Sequence, residues 1–265
     1  MLWSNLEYVP LRLARRLLFT DRVLLRLGRF LPYYRTNQGQ ISVEPIAAAY
    51  AELLARKGLD LADRDVLEAG CGAANGTGYA LAAGYGARWT GLEPYAPFDA
   101  ALDARFREET VRRHPDAGPL AVRRIESLAG TPDARFDLIL SNSVLEHVFD
   151  FEGLMRELFR VLRPDGCMLH RVDYRDHFFK YPFHFLQFAE TAWQGVLGPG
   201  DLTRRRLPEH VTLMRDAGFD VELLEITRDR ESFDRMRKHL HPRFRVFPDE
   251  ELCVTGAAIF ARKRQ

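Results

Sequence analysis

The sequence predicts an α/β fold, a doubly wound and mostly parallel seven-stranded sheet with a helical N-terminal extension. Three observations carry this. Short apolar runs bounded by turn residues alternate with helical stretches from about residue 58 onward, the pattern of parallel strands joined by crossover helices. The first run, Val66-Leu67-Glu68-Ala69, leads into Gly70-Cys71-Gly72 and then a helical stretch. Glycines there let backbone N–H groups approach a ligand at a helix start. A second run, Gly91-Leu92, ends in Glu93, about 20 residues beyond the loop. A doubly wound sheet places at that position an acid that accepts hydrogen bonds from ribose hydroxyls.

The elements follow in order. Residues 1 to about 35 are basic and amphipathic, with seven arginines against only Glu7 and Asp21. The favoured reading packs this segment on the domain with its arginines in water. The alternative lays it on an anionic membrane surface. Residues 44–57 read as a helix closed by Gly58. Strands are expected at 65–69, 87–92, 120–125, 136–141 and 166–172, with a charged helix over 99–114. The pattern then breaks. Residues 173–208 carry Tyr174, Phe178, Phe179, Tyr181, Phe183, Phe185, Phe188 and Trp193, interrupted by Pro182, Pro199 and glycines, and read as an insertion covering the active site. A helix at 208–217 closed by Gly218, a strand at 220–227, a helix at 231–240 and a strand at 252–261 complete the sheet. The expected division is an extension at 1–57, a ligand-binding core at 58–172, a cover at 173–208 and a completing segment at 209–265.

Composition narrows the function. Apolar content of 46% and charged content of 28% are ordinary globular values. A net charge of +1 gives no global field for nucleic acid. Cys71, Cys167 and Cys253 are too scattered for a disulfide framework or a zinc pattern and are expected as buried thiols. No apolar run approaches membrane-spanning length and no secretory signal is evident, so a cytoplasmic setting is expected.

The loop distinguishes between nucleoside cofactors. A dinucleotide fingerprint needs a third glycine at position 75, where this chain has Asn75. Glu68 sits just before the loop; its negative charge would repel a pyrophosphate and suits a ligand carrying an ammonium and a sulfonium. The stretch Glu68-Ala69-Gly70-Cys71-Gly72 with Glu93 resembles the first two motifs of the class I S-adenosylmethionine-dependent methyltransferases, of the small-molecule, type 11/12-like kind. Ala74 stands where that family often has a further glycine. The blocks Arg135-Phe136-Asp137-Leu138-Ile139-Leu140-Ser141-Asn142 through Val148, and Leu158 through Arg163-Pro164-Asp165-Gly166 to Leu169, resemble its fourth strand with the following loop and its helix, Pro-Gly turn and fifth strand.

The resemblance implies S-adenosylmethionine as cofactor in a Rossmann-like core. Glu68 would lie near the methionine end, with Gly70 and Gly72 in close backbone approach. Glu93 would hold the ribose, Pro94 or Tyr95 would lie against the adenine, and the Ile125 N–H would meet the adenine edge. Ser141 and Asn142 would close the methionine side. Arg124 stands where the family commonly has an acid near the adenine. It also implies that an N-terminal segment, here Pro32-Tyr33-Tyr34, reaches over the cleft.

Transfer to a hydroxyl needs a base for its proton. His170, Asp173 and His177 at the end of strand five, and His147 on the strand-four loop, are the candidates. Tyr174, His184 and Arg206 are candidate substrate contacts; a solvated loop is the competing reading of Arg204-Arg205-Arg206. His170, Asp173 and His177 would be a legitimate ligand set, but strand-end geometry would splay them, and no metal is assigned. The expected activity is methyl transfer to a hydroxyl of a small molecule, a secondary metabolite or sugar-like acceptor. The alternatives are N- or carboxyl-methyl transfer, or a catalytically silent S-adenosylmethionine-binding scaffold. Composition indicates neither an oligomeric state nor a nucleic-acid partner.

Overall fold

The chain enters its sheet at β1 (Asp65–Ala69), adds β2 (Arg88–Leu92) and β3 (Val122–Ile125) on one side, then crosses to β4 (Phe136–Asn142) on the other. β5 (Leu162–Asp173) continues outward, and the last two strands, β6 (Phe219–Arg228) and β7 (Val254–Lys263), interleave to give the order β3-β2-β1-β4-β5-β7-β6. β1 pairs in parallel with β2 and β4, whereas β7 runs antiparallel to both β5 and β6. The strand order reverses between β1 and β4, and in such sheets ligands bind at the carboxyl ends there. The computed structural model describes residues 2–18, 43–177, 181–198 and 200–264. Pro32-Tyr33-Tyr34, Phe178, Phe179, Pro199 and most of the N-terminal arginines lie outside the described residues.

β1 is buried throughout, as a central strand must be, and its side chains alternate between two cores. One face joins Leu67, Ile139, Met168 and Ile259 to the helices α5 (Phe151–Val161) and α6 (Leu207–Asp216). α5 buries Phe151, Met155, Leu158 and Val161, one stripe at helical spacing, and Asp150 caps it by accepting from the Gly153 N–H at 2.9 Å. Each such side chain contributes about 1.5–3 kcal/mol on burial. The other face joins Val66, Leu138, Leu140 and Leu169 to α2 (Val43–Ala55) and α3 (Gly76–Tyr85). Glu68 therefore faces α2 and α3, while Ser141 and His170 share the parity of Ile139 and Met168 and face α5 and α6.

The helices expected near 44–57, 99–114, 208–217 and 231–240 appear as α2, α4 (Ala100–Arg113), α6 and α7 (Arg230–Met236), the last continued by a tight turn over Arg237–His239. The fifth strand starts earlier than its apolar run. Leu162 pairs with Phe136, and the next pair is Cys167 with Leu138, so residues 163–166 bulge out. Arg163 holds the bulge through ion pairs to Asp65 at 3.3 Å and to Asp137.

Residues 181–202 build a third core. Phe183, Phe185, Leu186, Trp193, Leu197 and Leu202 pack with Phe233, Met236 and Phe244, and Val9 and Leu13 of α1 (Asn5–Leu18) lean on them. The described part of that segment, α1, is packed on the domain, but Arg12 is not in water. The residue is 3% exposed, and its guanidinium pairs with Asp176, to which Tyr8 also donates. A buried Arg needs such a partner, and the pair fastens α1 to the loop after β5. The three cysteines are free and buried. No helix among the described residues is long and apolar enough to cross a membrane.

Candidate functional site

The glycine loop leaves β1 with Gly70 and Gly72 both in the left-handed region, at φ +73° and +71°. Their surroundings differ. A Cβ on Gly70 would lie 2.4 Å from Val144, so this glycine is needed for packing. A Cβ on Gly72 would meet nothing within 4 Å, so it faces open space beside the start of α3. Glu93, buried at the end of β2, holds the loop from the other side. It accepts the Gly72 N–H at 2.9 Å and those of Tyr95 and Ala96 at 3.0 Å each. A carboxylate has about four acceptor sites, so one remains for a ligand hydroxyl.

Arg124 takes no part as an acid would. It donates to the Gly72 carbonyl at 2.8 Å, to the Ala96 carbonyl at 3.3 Å and to Cys71 Sγ at 3.1 Å, tying the loops after β1 and β2 together from the end of β3. Ile125 is half-buried, and its carbonyl accepts the Glu93 N–H at 3.0 Å. Pro94 is exposed, and Tyr95 is 91% exposed with its ring in solvent.

Glu68 lies under the loop. Tyr50 and Trp89 donate to its two oxygens at 3.3 and 3.2 Å, and burial pushes its carboxyl up to about 8. At the end of β4, Asn142 accepts from Arg171 of β5 at 3.0 Å. Ser143 then takes φ +54°, an uncommon value for a non-glycine residue, and its N–H bonds the Arg171 carbonyl at 2.8 Å. That turn presses Val144 against Gly70 and leads directly into Glu146 and His147.

These two residues meet the loop after β5. The rings of His147 and His177 lie 4.9 Å apart. His147 Nδ1 is 2.5 Å from the Asp201 carbonyl oxygen. Glu146 is 2% exposed, and its Oε1 accepts the Asp173 N–H at 3.3 Å. Burial raises the Glu146 carboxyl well above the usual range. Burial lowers the His177 imidazole, helped by the neighbouring His147. Asp173 is drawn toward Arg175, whose bonds outweigh its partial burial and lower its carboxyl.

Several expected site residues sit elsewhere. His170 is fully buried on the α5 and α6 face, paired with Ser141 Oγ at 2.7 Å, and burial lowers it to about 4. The alternation of β5 and β4 turns both side chains into the core, so the His170 imidazole is not placed to act as a base nor the Ser141 hydroxyl to contact a cofactor. Tyr174 is buried too, its hydroxyl paired with His210 Nδ1 at 2.8 Å. Arg206 is neither substrate contact nor solvated. It is fully buried and donates to the carbonyls of Tyr174, Leu252 and Val254 at 2.6, 2.9 and 2.5 Å. His184 pairs with Ser4 of the N-terminal segment at 2.7 Å, and burial lowers it to about 4.

Sequence reasoning missed Tyr50 and Glu146, and read Arg124 only as a departure. Glu146 had a signal, an acid beside a histidine at a strand-end loop. Tyr50 had none, because nothing in a helical apolar stretch marks which tyrosine turns toward a strand end.

Residues 67–170 match the family model described as a methyltransferase domain. A probable S-adenosylmethionine-dependent methyltransferase of Mycolicibacterium smegmatis is 34% identical over 161 residues, 61% of this chain and 54% of that protein. A ubiquinone biosynthesis O-methyltransferase of Methylocella silvestris is 37% identical over 107 residues, 39% of this chain and 37% of that protein. The chain thus spans about half the length of the first relative and little more than a third of the second. Among solved structures, phosphoethanolamine N-methyltransferase 2 of Haemonchus contortus, in complex with phosphomonomethylethanolamine and S-adenosylhomocysteine, superposes with TM-score 0.54 at 17% identity, covering 96% of this chain and 60% of that one. At that identity the likeness is one of fold.

Proposed function

Starting from a chain that belongs, through residues 67–170, to the class I S-adenosylmethionine-dependent methyltransferases, we propose that it moves the methyl group of S-adenosylmethionine to a hydroxyl of a small molecule. One observation carries the reading. Val144 packs against the cofactor loop at Gly70, and two and three residues later the same turn presents Glu146 and His147 to His177. Cofactor loop and proton-handling pair are therefore joined by one short turn.

The cradle fits the cofactor. The open face of Gly72 admits a ligand backbone-close, the spare acceptor site of Glu93 takes a ribose hydroxyl, and Glu68 with Asn142 lies toward the methionine end. When bound, S-adenosylmethionine supplies a methyl already activated on sulfur, which departs as a neutral thioether. The chain's own residues have three tasks. Arg124 and Glu93 keep the loops after β1 and β2 in register, so that the donor is held in line. His177 or His147 takes the proton of the acceptor hydroxyl as its oxygen forms the new bond to carbon. The lowered His177 is neutral near pH 7, as a base must be. The described residues of the 173–208 segment, with His177 at their edge, are read as the cover that keeps water from the acceptor side.

The M. silvestris relative, named as an O-methyltransferase, supports an oxygen acceptor. The test is turnover to S-adenosylhomocysteine with a panel of hydroxylated, amine and carboxylate acceptors, on wild type and His147→Ala/His177→Ala. Turnover only with hydroxyls, falling about 100-fold or more in the variant, supports the reading. Turnover with carboxylates, which need no base, and unchanged in the variant, replaces it with carboxyl methylation. Binding of the cofactor without turnover on any acceptor supports the silent scaffold.

A further inference from the structure

We propose that Glu146, His147 and His177 form a binding site for a divalent transition cation at the acceptor end of the cleft. One ligand atom from each residue lies within 4.8 Å of the others, close enough for all three to reach one ion. Two histidines and one carboxylate are a donor set that suits zinc, manganese, iron or cobalt in the divalent state.

The side chains are prepared for such a role. Glu146 Oε2 and His177 Nε2 are buried and have no hydrogen-bond partner among the described residues. Buried polar atoms are usually satisfied, and two orphans in one cluster call for an explanation. The Glu146 side chain is held by its other oxygen, which accepts the Asp173 N–H, and its backbone carbonyl accepts both the N–H and the hydroxyl of Thr203 at 2.9 and 2.8 Å. His147 shows the arrangement common to metal-binding imidazoles. Nδ1 faces the Asp201 carbonyl, so a proton there donates to it and the lone pair is left on Nε2. The ligands come from the loops after β4 and β5, and Asp201 and Thr203 hold them through backbone and hydroxyl bonds, so the cation would knit three segments that the sequence keeps apart.

This set shares only His177 with the histidine-rich strand end. His170 is excluded by its burial in the core, and Asp173 is engaged by Arg175 at 2.7 Å. Three protein ligands leave coordination positions open, as in catalytic rather than structural sites. In the cation-free protein the two histidines keep the base role described above; with the cation bound they would be its ligands, and an acceptor hydroxyl there would lose its proton to solvent more easily. That role rests on the proposed methyl transfer; the binding of the cation does not.

The test uses the full chain, stripped with a chelator and titrated with cobalt(II) while its visible ligand-field absorption is followed, with S-adenosylhomocysteine binding measured on the same samples. Expected is one cobalt per chain, displaced by zinc but not by magnesium, which prefers oxygen ligands. Affinity should fall about 100-fold or more in His147→Ala and in His177→Ala. These two half-exposed positions are used because Glu146→Gln could fail to fold. Absence of cobalt binding by wild type, or equal binding by the double variant, overturns the site. If S-adenosylhomocysteine binds while cobalt does not, the cation site alone is wrong. If cobalt binds as expected while the nucleoside does not, the cation site stands and the methyl-transfer reading falls.

Discussion

The glycine loop and the arginine run at 204–206 are both short polar stretches next to a helix start, yet the chain uses them in opposite ways. The loop turns backbone toward open space. Gly72 has room around it, and Glu93 and Arg124 hold the loop from behind by contacts to its backbone at 2.9 and 2.8 Å. The arginines turn side chains inward toward backbone. Arg204 reaches the carbonyls of Phe185 and Phe188 at 2.8 and 2.6 Å, Arg205 those of Val148 and Phe149 at 2.5 and 2.9 Å, and Arg206 three more. Three consecutive guanidiniums thus fasten residues 148–149, 174, 185–188 and 252–254 to one another. One stretch leaves its backbone facing open space, as the proposed cofactor site requires, and the other ties together segments that no strand ladder joins.

The largest test of this contrast is Arg206→Met. It leaves three buried carbonyls short of a donor, and unfolding in urea should show a loss of about 3 kcal/mol or more, against well under 1 kcal/mol for a solvated arginine. Next comes Gly72→Val set beside Gly70→Val. The first should weaken S-adenosylhomocysteine binding about 100-fold with a melting loss of only about 1–2 kcal/mol from the left-handed backbone. The second collides with Val144 and should cost stability first. Equal melting losses in the two would remove the distinction between ligand-facing and packing-facing glycines.

A smaller effect lies in pH. Glu68 is held protonated up to about 8 in the free protein by burial. A bound sulfonium and ammonium favour the ionised form, so the carboxyl in the complex titrates lower and binding releases a proton. Affinity for S-adenosylmethionine should therefore rise with pH, by up to about tenfold per unit, and level off above about 8. Calorimetry in buffers of different ionisation enthalpy checks the proton release, and Glu68→Gln should abolish it. Smallest of all is Tyr95→Ala. With its ring in solvent, the substitution should change cofactor affinity less than about threefold, near the limit for an exposed contact.

The two regions also differ in how far the sequence revealed them. Strand ends, the glycine loop and Glu93 follow from local pattern, because a parallel strand is a continuous apolar run and its loop must carry glycine where φ turns positive. The strand-five histidines show where that reasoning stops. His170 and His177 look alike in sequence, but the two-residue period of β5 sends His170 into the core with Ser141, while His177 lies past the strand end and meets His147. The same parity, applied from Met168 onward, would have separated them. The arginine run resisted for another reason. Its partners are carbonyls up to 57 residues away, and no side-chain pattern marks a carbonyl that lacks a donor. Arg12 was misread likewise, since its partner Asp176 belongs to a distant loop.

The most direct measurement is calorimetric titration of the full chain with S-adenosylmethionine, S-adenosylhomocysteine and NAD, for wild type and Glu93→Ala. Wild type should bind the first two with micromolar affinity and NAD not at all, and the variant should lose binding while keeping its far-UV spectrum. Binding of NAD with the two methyl-cycle nucleosides silent, or full binding by Glu93→Ala, would contradict the assignment of the loop after β1 as the cofactor site.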